Sequence, residues 1–130
     1  KAWQYLSTPT NGSSIRNSWQ EGNTSLGTNI HSGYGTIITS NIPGAVGLGF
    51  DIYTPAGPSM KSYNSGTGAW DGVANTSIQI ANKKGYMFFV RGDRTVTTSS
   101  APATALTLRT SGQLYTIGSN APASITVPAG

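Results

Sequence analysis

Hydrophobic and polar positions along this chain alternate over short stretches and hardly ever recur at helical spacing. In "AWQYLS" (2–7), Trp3 and Tyr5 fall on one face of an extended segment, the period-two pattern of a strand with unlike faces. "YGTIITS" (34–40) supplies aromatic and β-branched residues, and "AVGLGFDIYT" (45–54) is apolar with interspersed glycines. Both predict strands, the second with a bulge or a close backbone approach. "PSMKSYN" (58–64) and "AWDGV" (69–73) flank Ser65-Gly66-Thr67-Gly68, which predicts a hairpin with Tyr63 and Trp70 near its turn. "GYMFFV" (85–90) is apolar on both faces, the pattern of a central, fully buried strand. A second hairpin is predicted in "ALTLRTSGQLYTIG" (105–118) about Ser111-Gly112, and a last strand in "ASITVPAG" (123–130).

One stretch reads as helix. In "SSIRNSWQEG" (13–22), Ser13 or Ser14 caps, Ile15 and Trp19 share a face, and Gly22 stops the helix after one or two turns. Eight or nine short strands at roughly ten-residue spacing predict an all-β fold, an antiparallel β-sandwich or jelly roll, with at most this one short helix near residues 13–21. "YNSGTGAW" has the look of one kelch-blade arm, but it occurs once and a propeller needs several copies. The 130 residues are read as one domain, 1–130, long enough for its own core.

Composition narrows the class of function. Charged residues make up 9% of the chain, against about 25% in ordinary soluble domains, so Ser, Thr, Asn, Gln and Gly must form the surface. Such a surface suits a secreted β-module better than a cytoplasmic enzyme. There is no cysteine, which excludes thiol catalysis, disulfides and zinc–thiolate sites. The net charge of +4 comes from dispersed bases, with only Lys83-Lys84 and Arg91/Arg94 close together. A nucleic-acid groove needs a denser basic stripe, and membrane insertion needs a longer apolar run.

Candidate chemistry is sparse. The acids are Glu21, Asp51, Asp71 and Asp93, and a glycosidase would need two of them to converge. Their neighbouring glycines and turns point instead to capping, and no catalytic residue is assigned. His31 is the single histidine, in a turn-like "NIHSGYG", so no multi-histidine metal site can form, and neither a metal nor a cofactor is expected. Sequons stand at Asn11, Asn23 and Asn75. The aromatics Trp3, Trp19, Trp70, Tyr34, Tyr53, Tyr63 and Tyr115 raise a carbohydrate-binding reading, because flat rings stack on sugar faces. Trp3 and Trp19 sit in patterns that predict burial, whereas Trp70 and Tyr63, beside the glycine-rich hairpin, are the expected sugar contacts. Arg91-Gly92-Asp93 matches the integrin-binding tripeptide, but it follows an apolar strand directly and "TVTT" comes soon after it. A strand-end turn built by Arg91, Gly92, Asp93 and Arg94 accounts for it without an adhesive role.

Taken in order, "WQYLSTPTNGSSIRNSWQEG", "GYGTIIT", "GFDIYTPAGPSMKSYN", "KGYMFFVRGDRTV" and "LTLRTSGQLYTIG" make a pattern that resembles a β-rich module of large Bacteroidetes surface proteins exported by the type IX secretion route. In that family "FVRGDR" belongs to the shared motif, which implies a structural role for Arg91 to Arg94. The resemblance spans nearly the whole chain and implies an extracellular, bacterial cell-surface location, but no defined activity. Such modules usually continue into a Gly-Asn-Pro-Tyr segment and a C-terminal sorting domain, whereas this sequence stops at "ITVPAG", so a fragment or processed piece of a longer chain is expected. The leading expectation is a non-catalytic structural or assembly module of a surface protein or fibre, self-associating or meeting neighbouring domains through edge strands such as "AWQYLS" or "ASITVPAG". A carbohydrate-binding module is the alternative, and a small glycoside hydrolase the weakest.

Overall fold

The computed structural model describes residues 1–22, 31–80 and 84–114. The chain is all-β and antiparallel. Strands β1 (Ala2–Leu6), β3 (Met60–Asn64), β4 (Ala69–Gly72) and β5 (Tyr86–Val90) form a four-stranded sheet in the order β1-β5-β3-β4. A separate ribbon pairs β2 (Thr10–Asn11) with β6 (Gln113–Leu114). The helix α1 (Ile15–Trp19) is one of the few departures from β and extended chain.

Sequence chemistry sets α1 locally and the sheet orients it. Ser14 is the N-cap, its Oγ accepting the Asn17 N–H at 3.1 Å, and the Gly22 N–H closes the far end on the Arg16 carbonyl at 2.8 Å. The first free N–H groups of the helix, on Ile15 and Arg16, donate to the carbonyls of Ile78 (3.0 Å) and Thr76 (2.8 Å). Backbone rather than water therefore satisfies them. Ile15 and Trp19 then face the sheet, and Trp19 meets Tyr86 and Phe88 edge-on at 5.2 and 4.9 Å between centroids.

Register divides the side chains of the sheet into two sets. Met60 pairs with Phe88 and Ser62 with Tyr86, so these four share the inner face. There Met60, Tyr86 and Phe88 join Ile15, Trp19, Ile38, Phe50, Val73 and Ile80 in the core. Trp3 pairs with Phe89, Tyr5 with Met87, Lys61 with Met87 from the other side, and Tyr63 with Trp70. These residues make the outer face, and no other described element covers it with regular structure.

Several expectations need correction. "YMFFV" is central in strand order, but only its inner positions, Tyr86 and Phe88, are fully buried, while Met87 and Phe89 are half-exposed. Trp3 is 41% exposed rather than buried. Residues 35–40 are buried throughout yet form no ladder. Their groups bond to scattered partners instead: Thr36 N–H to Trp19 O, Ile38 N–H to Asp51 Oδ2, and Thr39 N–H to Ser59 Oγ. "AVGLGFDIYT" opens as a 3-10 turn, Ala45–Leu48, held between Gly44 and Gly49, both at positive φ. Gln113-Leu114 pairs with Thr10-Asn11 rather than with residues before Ser111, and "TVTT" after Asp93 is turn and irregular chain. Among the described residues the second sheet is the two-stranded ribbon β2–β6, and it is α1 and the segments 36–42 and 49–53 that pack against the inner face of the four-stranded sheet. "ASITVPAG", Tyr115 and Asn23 lie outside the described residues.

Candidate functional site on the outer face of the sheet

The segment Arg91–Arg94 leaves β5 and immediately enters the interior. Arg91, Asp93 and Arg94 are 8%, 5% and 0% exposed. A receptor that grips the tripeptide by its two charged ends would find both enclosed. Gly92 has φ +136°, and its carbonyl accepts the Thr36 hydroxyl at 2.8 Å. A Cβ there would stand 2.6 Å from Val96 Cγ2 and 2.7 Å from the Thr104 backbone nitrogen, so only glycine fits.

Arg94 and Asp51 form a buried, two-pronged ion pair. Nη2 meets Oδ1 at 2.6 Å and Nη1 meets Oδ2 at 3.0 Å, with neither side chain exposed. Nη1 also donates to Thr36 O at 3.0 Å, and Asp51 Oδ2 accepts from Gln20 Nε2 (2.9 Å) and Ile38 N–H (2.8 Å). Removal from water is offset only when a pair is satisfied this fully. Asp93 is held differently. Burial alone would raise its carboxyl, but hydrogen bonds from Thr95, from the Gly33 N–H and from Thr104 outweigh burial and hold it below the usual aspartate value.

Two acids remain. Glu21 takes Arg109 Nη2 at 2.6 Å, and Asp71 accepts from Asn64 Nδ2 at 2.9 Å at the exposed hairpin. Each acid thus has its own partner, and no group of three or more His, Asp or Glu side chains gathers among the described residues. His31 is exposed, and its carbonyl takes the Tyr34 N–H as a turn residue would. Asn11 is exposed on β2, and Asn75 caps a turn by accepting from Ser77 and Ile78.

The outer face carries what the interior does not use. Tyr63 and Trp70 pair across β3 and β4 with centroids 5.3 Å apart, and both are half-buried. Trp70 continues over Gly85, where a Cβ would lie 3.6 Å from Trp70 Cη2, and reaches Tyr5 of β1 at 5.6 Å. One ring therefore links β4 to β1 across the outer face. Trp3 packs edge-on to Phe89 at 5.4 Å, with Lys61 Nζ 5.7 Å from the Trp3 ring. Tyr5 is 72% exposed. Beside Trp3 and Phe89 lies an open cavity of about 410 Å³, bounded also by Pro55, Pro58, Lys61 and Arg91. The Arg91 guanidinium lies against the rings of Tyr53 (4.6 Å) and Phe89 (4.9 Å).

The two residues singled out as sugar contacts, Tyr63 and Trp70, stand together on this face. Sequence reasoning missed Tyr5, Trp3 and Phe89 as their companions. The alternation Trp3/Tyr5 was a usable signal, but the partner strand that aligns Trp3 with Phe89 is fixed only by pairing across more than 80 positions. No family model matches the chain, and neither a curated protein nor a solved structure matches it. No described helix is long and apolar enough to cross a membrane.

Proposed function

We propose that this chain is a non-catalytic, extracellular glycan-binding module whose contact surface is the outer face of the sheet. The observation that supports this reading is the run Tyr63–Trp70–Tyr5 across three strands, with centroids 5.3 and 5.6 Å apart on a rigid hydrogen-bonded frame. Flat rings with a polar edge offer apolar area to a sugar face, and hydroxyl and indole N–H groups to its rim. Rings fixed on strands lose little freedom on binding. The test is retention on an array of soluble polysaccharides, compared with Trp70→Ala, Tyr63→Ala and Tyr5→Ala. Loss of about tenfold or more in affinity for Trp70→Ala would match a ring at the centre of the contact. A folded chain that binds no glycan overturns the reading.

A second reading rests on β1. It is an edge strand with Ala2, Trp3, Gln4 and Tyr5 all exposed, and with no charge inside the strand to discourage pairing. We propose that, within a surface protein or fibre, this edge accepts a strand from a neighbouring copy. Phe89 bonds towards β3, so Phe88 turns its backbone to Gln4, and the N–H groups of Trp3 and Tyr5 face the open edge. Sedimentation over a wide concentration range tests it: assembly weakened by Tyr5→Pro is expected, and a clean monomer throughout ends it.

A further inference from the structure

The cavity beside Trp3 has a chemistry of its own. Two cations bound it, Lys61 and Arg91, and no acidic side chain among the described residues does. In a chain with only eight Lys and Arg residues, that pairing separates it from the rest of the surface. Arg91 is 8% exposed, and its Nη1 is buried with no hydrogen-bond partner among the described residues. Burial depresses its guanidinium, and the adjacent Tyr53 hydroxyl opposes that only in part. A desolvated cation without a counter-ion is costly in a folded protein, and the wall it occupies opens to ligand. Lys61 lies over the Trp3 ring at 5.7 Å, on a flexible stem that can swing towards a charge in the cavity.

We infer that the cavity bounded by Trp3, Pro58, Lys61, Phe89 and Arg91 receives the anionic group of an acidic sugar, while neighbouring sugar rings lie along the aromatic face. This rests on the glycan-binding reading and adds the ligand class to it. The planar guanidinium fork matches a carboxylate or a sulfate, so a uronate and a sulfated sugar are the two sources of the same chemistry. Trp3 and Phe89 supply the apolar wall for the ring that carries the charge, and the lack of acids on the described walls removes the repulsion that would otherwise exclude an anion.

Titration calorimetry of the intact chain with three oligosaccharides of equal length tests this: an oligogalacturonate, its fully methyl-esterified neutral form, and a sulfated glycan that carries no uronate. At least one anionic probe should bind about tenfold or more tighter than the neutral one, and added salt should shrink that advantage. Lys61→Gln and Arg91→Lys should each lower the anionic-to-neutral ratio, and whichever anion loses more identifies the source. If Arg91→Lys unfolds by circular dichroism, Lys61→Gln alone decides. Equal binding of all three probes, or a preference that survives the substitutions, overturns the inference and leaves the glycan reading standing. Binding of none of the probes, nor of any glycan on the array, removes both.

Discussion

Arg94 ends on two carboxylate oxygens and a backbone carbonyl deep in the interior, whereas Arg91, across Gly92-Asp93, ends between two aromatic rings at the wall of a cavity. Both are enclosed, at 0% and 8% exposed, but of the two only Arg94 has a counter-ion among the described residues. The chain thus handles one buried cation as a structural strut and sets the other against aromatic rings. The same division runs through the whole sheet. Its inner face is closed by Trp19, Phe50 and Phe88, while its outer face holds rings that pack against each other and against Lys61 and Arg91 and stay partly open. Completeness of bonding, rather than burial, distinguishes what holds the fold from what is available to a ligand.

The largest effect should come from breaking the strut. Arg94→Met leaves Asp51 as a buried charge and should lower unfolding free energy by about 3–5 kcal/mol in urea titration, most of it recovered in Asp51→Leu/Arg94→Met. Next is Gly92→Val. Its positive φ alone would cost about 1–3 kcal/mol, before the collisions with Val96 and Thr104 that the new side chain cannot avoid. Arg91→Met is the sharpest contrast. It removes a cation with no ion pair among the described residues and should lie within about 1 kcal/mol of the parent chain, because relief of desolvation offsets the stacking of the guanidinium on Tyr53 and Phe89. A destabilisation as large as that of Arg94→Met would erase the distinction between the two arginines.

The smallest effect is one of pH. Asp93 is held below its ordinary value of 3.8, so the unfolded chain takes up its proton first as pH falls. Its contribution is complete above pH 3.8 and is lost as pH drops through the lower folded value. Asp93→Asn should therefore be less stable than the parent at pH 7 and flatten the stability curve below about pH 4. Parallel acid-unfolding curves for the two chains would show that Asp93 is not held in this way.

Local chemistry was legible where neighbours in sequence are neighbours in space. Ser14 and Gly22 bound α1, Ser65–Gly68 turns β3 into β4, and both follow from capping and turn preferences. Residues 34–40 and 45–54 read as strands because β-branched and apolar residues mark burial; that holds for 35–40, Phe50 and Tyr53, whereas Val46, Leu48 and Ile52 are exposed. Whether a buried backbone joins a ladder depends on its partners. Here those are Trp19, Asp51 and Ser59, supplied from distant segments.

By itself, the sequence determined an all-β antiparallel chain, one short capped helix, a hairpin bearing Tyr63 and Trp70, and a glycine-dependent exit from β5 at Arg91–Arg94. Only the tertiary structure decided which face of β5 is open and which arginine finds a counter-ion. It also brought Tyr5 and Trp3 of β1 onto the face with Trp70 and Phe89. The physical reason is that alternation states that a strand has two faces but not what lies against either. A side chain's charge, likewise, does not name the residue 43 positions away that will neutralise it.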